Sequence, residues 1–414
     1  MQWQDLESSR KVWNLAGNRL EEQLKTNNEG KNGKPPEWVV RQAMPDATRR
    51  RLLTAGMVGA AGAVSGLGWV GSGTAFAAPT VPDLETKARG EQGVLIYSNL
   101  SNANMAPFLG GLRAKYPWLK VDALHLGPAE VFERYYSESS VGRRSADLII
   151  TAAPDAWLRF HEKGGIEPYA VPDAGALPAW SKPLPGLYTF STDPLVMVYN
   201  KLLLPPDKRP QSMADLARLS QQFPGLFNRK ITTYDAAKHA FAYVLQWTYA
   251  RERGWPALEG VSRATQLESS GATMIEKVTT GEYSVVYFAS GATFFERLRQ
   301  EKRGDILGWN LIKDGTPLMP RGMAITRHSQ SKASASLVMS WLLSHDGQVS
   351  VANGGLVPYR SDVKPNEVPV ITYAQIVEQL GAKNVIQIGY QPEMLREQPA
   401  FVAKWQATFT GGRK

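Results

Sequence analysis

The sequence predicts an α/β protein of two lobes joined by two crossing strands. Three observations carry this reading. From Gly93 onward, short apolar runs alternate with amphipathic segments in β-α-β-α-β order. Two extended apolar passages, Leu195 to Tyr199 going out and Gly322 to Thr326 coming back, bracket a second set of short strands. The roughly 340 residues after Ala77 also exceed what one hydrophobic core usually supports. Two lobes with two crossings predict a hinge, and a hinge between sheets predicts a closing cleft.

Each element has a local reason. Val94-Leu95-Ile96-Tyr97 reads as the first strand. Met105, Leu109, Leu112 and Tyr116 then recur at helical spacing until Pro117 stops the helix. Val121 to Leu126 is the next strand, and Val131, Phe132 and Tyr135 mark a second helix. Asp147-Leu148-Ile149-Ile150 is a third strand, apolar as a parallel strand buried on both faces tends to be. Beyond the first crossing, Lys230 to Tyr234, Ser284 to Phe288 and Ile306 to Leu311 read as strands of a smaller sheet, with helices from Ala236, Ser269 and Ala292. After Thr326 come a helix from Lys332 to Leu343 and a C-terminal region of helices and loops. The expected boundaries are 90–194 for the first part of lobe 1, 195–321 for lobe 2, and 322–414 for the return strand and the rest of lobe 1.

In open α/β sheets, ligands collect beyond the carboxyl ends of strands, where helix N-termini offer unpaired amides. That singles out the loops Ser98 to Asn104 and Thr151 to Asp155. Ser98, Asn99, Ser101, Asn102 and Thr151 supply hydroxyl and amide groups there, Ala152 and Ala153 leave the backbone approachable, and Asp155 closes the second loop. The same Ser and Asn residues also suit plain helix caps.

Composition narrows the function. The formal net charge is +9 but dispersed, and the one compact cluster, Arg297 to Arg303, has Glu296 beside it and Glu301 within it, so no nucleic-acid partner is expected. The chain has no cysteine, and its histidines, His125, His161, His239, His328 and His345, are scattered, so neither a metal nor a cofactor is expected. A Gly-x-Ser-x-Gly elbow and a phosphate-cradling Gly-rich loop ending Lys-Ser/Thr are absent from the sequence. A binding protein, and not an enzyme, is expected.

Thr48-Arg49-Arg50-Arg51-Leu52-Leu53 opens a run nearly free of charge and resembles the twin-arginine export signal of bacteria. The run is rich in Gly and Ala, weakly hydrophobic, and closes with Ala75-Phe76-Ala77, the small-x-small form that signal peptidase accepts. The expected division is a cytoplasmic leader over 1–48, a signal over 49–77 whose key residues are Arg49, Arg50 and Ala77, and a mature periplasmic protein. An uncleaved anchor is the alternative. Gly66-Leu-Gly68-Trp-Val-Gly71 matches a dinucleotide fingerprint by letters but follows no strand, and is read as a chance match.

Across about Gly93 to Asp362 the chain resembles a bacterial periplasmic solute-binding protein of an ABC importer, with the type II two-lobed fold. The resemblance rests on Val94 to Ser98, Lys115-Tyr116-Pro117, Ser145-Ala146-Asp147-Leu148, Val198-Tyr199-Asn200-Lys201, Thr233-Tyr234-Asp235, Ser270-Gly271-Ala272, Gly281-Glu282-Tyr283 and Val357-Pro358-Tyr359-Arg360-Ser361, in that order. The most similar branch comprises the ferric-ion, sugar-phosphate and phosphoglycerate-uptake proteins. It implies a monomer that binds a small solute, closes, and docks on a permease without covalent chemistry; a sensory partner in the membrane is the alternative, ferric-ion binding a second, and an exported enzyme the last.

The ferric branch uses adjacent tyrosines after the strand corresponding to Ser284–Phe288. Here that neighbourhood runs from Phe288 through Ser290 and Gly291 to Phe294-Phe295, which offer no phenolate. Tyr135-Tyr136 is an adjacent pair elsewhere, and core packing is expected of Tyr135. The phospho-compound branch uses Thr-Tyr-Asp-Pro followed by Ser-Gly. This chain keeps Tyr234 and Asp235 but has Ala236 for the proline, with Lys238 and His239 nearby, either as replacement charge or as surface residues. Arg360 resembles an arginine near the family's cleft, or is a surface residue. With Ser290 and Gly291 these complete the candidate ligand set, and an anionic solute, phosphorylated or carboxylated, is expected. The signal reading predicts that N-terminal sequencing of the exported protein begins at Ala78; an intact leader would favour the anchor.

Overall fold

The computed structural model describes residues 80–301 and 303–411. The expectations placed on the leader, on Arg49, Arg50 and Ala77, and on Gly66–Gly71 lie outside the described residues. Among the described residues no helix is long and apolar enough to cross a membrane.

The first half of the chain forms β1 (Val94–Ser98), α1 (Asn102–Lys115), β2 (Val121–His125), α2 (Glu130–Ser139), β3 (Leu148–Thr151) and α3 (Pro154–Glu162). β2, β1 and β3 pair in parallel in that order, the β-α-β-α-β unit expected from the sequence. α1 starts where Ser101 accepts a hydrogen bond from the Asn104 amide and stops at Tyr116, which Pro117 holds out of the helical region. β3 is buried throughout, as a central parallel strand must be.

Two long strands then carry the chain between lobes: β4 (Tyr188–Asn200) going out and β9 (Thr316–Ile325) coming back. They pair antiparallel with each other, β9 also with β3, and the far half of β4 with a strand over Val285–Ser290. Both are longer than the passages expected from the sequence, because their polar and proline-containing halves, around Thr192-Asp193-Pro194 and Pro320-Arg321, interrupt the apolar run. Pro194 and Pro320 have no amide donor and the register slips between Thr189 and Ser191, so the β4–β9 ladder is thinnest where the chain passes between lobes.

The second lobe contains β5 (Ile231–Tyr234), α4 (Ala240–Arg253), β6 (Thr265–Glu268), α5 (Gly271–Thr280), β7 (Val285–Ser290), α6 (Gly291–Glu301) and β8 (Leu307–Asn310). β5 pairs in parallel with both β6 and β7, and β8 lies antiparallel on β4. β6, half polar, was not expected from the sequence. The helix expected from Ala236 begins at Ala240, because the Asp235 carboxylate accepts the Ala237 amide at 3.0 Å and closes a turn first.

After β9 come α7 (Lys332–Leu342), α8 (Tyr373–Leu380), β10 (Val385–Gln387) and α9 (Glu393–Phe409). α7 packs in the first-lobe core, but the assignment of all of 322–414 to lobe 1 needs correction. Ile376 and Leu380 of α8, and Phe401, Trp405 and Phe409 of α9, are buried in the same core as β5, β7 and α4. The three aromatic residues fall at helical spacing on one face of α9 and need a partner; Phe401 finds Tyr243 of α4 at 5.5 Å. The chain therefore passes between lobes a third time after Asn353.

One half-buried polar cluster ties α2 to the first sheet. Glu138 accepts from Tyr97 Oη at 2.6 Å, Ser145 Oγ at 2.8 Å and Arg134 Nε at 2.8 Å. Burial opposes its ionisation, but these donors outweigh it and hold the carboxyl below its usual range. Because the folded carboxyl ionises at lower pH than the unfolded one, its contribution is complete above the ordinary carboxylate range and is lost as pH falls through the lowered value. Glu138→Gln is expected to cost about 1–3 kcal/mol at neutral pH and to flatten the acid limb of a melting-temperature profile; an unchanged limb would remove Glu138 from acid unfolding.

Candidate functional site

The carboxyl ends of β1 and β3 from one lobe and of β5 and β7 from the other meet at the middle of the two crossing strands. Each crossing strand carries a single charged residue in an otherwise uncharged stretch: Asp193 on β4 and Arg321 on β9. Both are buried, at 2% and 4% exposure. Ser191 lies directly opposite Arg321 in the register, and Asp193 two residues further on, so all three share one face.

Asp193 is held from lobe 2. Its carboxylate accepts from Ser290 Oγ at 2.6 Å and from the Ala292 amide at 2.8 Å, so the N-terminus of α6 points at it. Gly291 permits this approach, because a Cβ there would come within 2.9 Å of the Pro194 carbonyl. Just upstream, Phe288 has φ of 59°, a conformation a bulky residue adopts only under constraint, and the β4–β7 register shifts beside it. Arg321 is held from lobe 1, where Nη1 donates to Asn99 Oδ1. Asn99 Oδ1 also accepts the Ala152 amide at 3.3 Å, which locks the β1 and β3 loops together. Nε of Arg321 is buried without a partner.

Burial pushes the Asp193 carboxyl up and the Arg321 guanidinium down, while each one's opposite charge works against that shift. Tyr234, at the end of β5, is buried close enough to Asp193 for the carboxylate to help raise its hydroxyl pKa, with burial the larger cause. Tyr390, from the third passage, has a buried hydroxyl without a partner within electrostatic reach of Arg321.

The lobes also touch directly. Ser101, the cap of α1, donates to Glu296 Oε2 of α6 at 2.9 Å. α3 packs on α4, and Ala152 and Leu158 join the second-lobe core.

The structure brings Asn99, Ala152, Tyr234, Ser290 and Gly291 of the sequence-derived candidates to this point and commits others elsewhere. Ser98 Oγ accepts the Leu100 amide at 3.1 Å, and Thr151 Oγ1 donates to the Pro128 carbonyl at 3.2 Å, both within lobe 1. Asn102 is exposed, and Ala153 precedes α3 as its cap residue. Asp155 pairs with Arg159 at 3.1 Å and leaves its other oxygen unpartnered. Asp235 accepts from Ala237 and from Trp405 Nε1 of α9 at 3.3 Å, Lys238 lies exposed 3.8 Å from it, and His239 is exposed at the head of α4. Arg360, read either as a cleft arginine or as a surface residue, is buried and gives its donors to Asp173 at 2.6 Å, Asp362 at 2.7 Å and the Leu343 carbonyl at 3.0 Å. Phe294 and Phe295 are core residues against Trp309, and Tyr135 is core as expected. A groove of about 570 Å³ opens between the end of β8 and residues 365–371; its lining, with Trp309, Leu311 and Ile371, does not include the charged pair.

Asp193, Ser191, Arg321, Glu296 and Tyr390 were not identified from the sequence. A signal existed for two of them: one acidic and one basic residue, each alone in an extended buried passage. Tyr390 carried none, because its position depends on the unexpected third passage.

Two lobes, parallel sheets facing each other across paired crossing strands, and polar strand ends turned inward define a solute-binding fold. Residues 143–379 match the model of the bacterial extracellular solute-binding proteins, and the chain belongs to that family. No curated protein matches it. Among solved structures, the chain is similar to the substrate-binding protein of an ABC transporter from Agrobacterium tumefaciens, with TM-score 0.67 and 18% identity over 77% of this chain and 94% of that one. It is also similar to the periplasmic binding protein AfuA from Actinobacillus pleuropneumoniae, with exogenous fructose-6-phosphate bound, with TM-score 0.59 and 17% identity over 77% and 98%. Iron-bound HitA from Pseudomonas aeruginosa gives TM-score 0.57 and 16% identity over 75% and 99%.

The Ser101–Glu296 contact joins the lobes directly. Glu296→Gln is expected to weaken it by about 1 kcal/mol, shifting the population several-fold toward a wider form; an unchanged scattering radius would assign the contact no part in lobe spacing.

Proposed function

We propose that this protein is an exported binding component that captures a small anionic solute between its lobes in the periplasm and presents it to an ABC permease. Arg49, Arg50 and Ala77 supply the export label in this reading, with the twin-arginine translocase as the carrier. The observation that supports it is the buried guanidinium of Arg321, unpartnered at Nε, where both lobes meet. A buried carboxylate and guanidinium on one face would favour a neutral or zwitterionic guest if both were free. They are not equally free: Asp193 is already served by a hydroxyl and the amides of α6, whose dipole stabilises it, so the positive side is the one left to recognise a guest.

Capture follows as a population shift. Contacts to both lobes are complete only when the lobes are together, so a guest that bridges them favours the closed form by its difference in affinity for the two. The thinned β4–β9 ladder is where such a movement costs fewest hydrogen bonds. The similar structures with fructose-6-phosphate and with iron bound bracket the possibilities, and the phenylalanines at 294 and 295 favour the anion.

Titration calorimetry of the mature protein with sulfate, inorganic phosphate, a phosphate monoester and a dicarboxylate tests this. Arg321→Met is expected to weaken whichever probe binds by about 2 kcal/mol or more, roughly thirtyfold, with folding checked by circular dichroism. Undiminished binding by the folded variant, or no binding of any of the four by wild type, would overturn it.

A further inference from the structure

Several buried polar atoms near the crossing have no partner: Arg321 Nε, Ser191 Oγ, Tyr390 Oη and, on the same strand as Ser191, Thr189 Oγ1 and Thr192 Oγ1. Such atoms are costly to bury, and native interiors leave few of them. Ser191 and Arg321 are direct register partners on adjacent strands, so their side chains stand on the same face. Tyr390 comes from a different part of the chain, after β10, and packs between the cores of both lobes with its hydroxyl inward.

The guanidinium has two usable edges. Nη1 is given to Asn99, which leaves the edge carrying Nε, where two parallel N–H groups fit two oxygens of one anionic group side-on. The Ser191 hydroxyl stands on the same face, and the third passage runs parallel to β9, with Gln387 opposite Leu318 and the Ile388 amide on the Leu318 carbonyl, which carries the Tyr390 hydroxyl along the strand toward Arg321 as a further donor. We propose that Ser191, Arg321 and Tyr390 form an oxyanion subsite that grips the solute by a group with at least two anionic oxygens, a carboxylate, a phosphate or a sulfate, and that Tyr390 is a specificity residue supplied by the C-terminal passage. The proposal rests on the cleft-capture reading above and sharpens it. Burial keeps the Tyr390 hydroxyl protonated, so it remains available as a donor.

The subsite is read by Ser191→Ala and Tyr390→Phe, which remove one hydroxyl each and keep side-chain bulk, together with Arg321→Lys, which keeps charge but loses the fork. With the same four probes, the tightest binder of wild type is expected to lose roughly five- to tenfold in each hydroxyl variant and more in Arg321→Lys; its identity separates carboxylate from phosphate and sulfate. If Ser191→Ala and Tyr390→Phe bind as wild type while Arg321→Met does not, the subsite is wrong and the capture reading stands. If Arg321→Met also binds as wild type, both fall.

Discussion

Everything near the cleft is arranged around two opposite charges buried on neighbouring strands. Removing a carboxylate and a guanidinium from water costs several kcal/mol each, and their attraction offsets this only when other groups complete their hydrogen bonds. The chain meets that demand from opposite sides. Lobe 2 brings Ser290 and the start of α6 to Asp193, which requires a glycine at 291; lobe 1 brings Asn99 to Arg321 and ties it to the β3 loop through Ala152. Each lobe therefore satisfies one charge, and the position of both strand-end loops follows from where Asp193 and Arg321 sit.

This arrangement reassigns the helix N-termini that ordinarily receive anions. α6 receives the protein's own Asp193, and the cap hydroxyl of α1 is given to Glu296 from the opposite lobe. One internal carboxylate thus occupies a place where a bound oxyanion would be stabilised by backbone amides, and another takes the cap hydroxyl of a second helix. Of the two buried charges, Arg321 is the one that keeps a donor, Nε, without a partner. The same contacts hold the lobes together, so a guest competes with intramolecular contacts as well as with water.

The sequence made the first lobe legible because its elements are regular: uniform apolar strands, a serine cap, and a proline that stops α1. The second lobe was legible in its strands but not in its connections. The half-polar β6 carries no clear period, and the turn closed by Asp235 delays α4 by four residues relative to the expected start at Ala236. The crossing strands were read short for the reason that makes them interesting, since Ser191, Asp193, Pro194, Pro320 and Arg321 break the apolar pattern. Among the candidate ligands, residue type found the loops but not the directions. Ser98 and Thr151 look like ligand donors by composition and are spent inside lobe 1, while Arg360 pairs with Asp173 and Asp362 because those acids lie closer than any cleft.

The C-terminal helix explains why the turn after β5 does not take over recognition. Trp405 of α9 stacks on Phe409 at 3.9 Å and donates its indole N–H to Asp235, so the carboxylate that resembles a ligand residue is fixed by the last helix of the fold. Asp235 also closes its own turn with the Ala237 amide. A side chain held from two directions cannot reorient toward a guest without opening part of the second-lobe core, where Trp405 is fully buried. Tyr234, one residue earlier, is buried instead, with its hydroxyl against Gly271 at the head of α5. The buried polar groups of this lobe that stay near the crossing are therefore those on or beside the strands that join it to the other, and the passage that carries Tyr390 packs against both cores there.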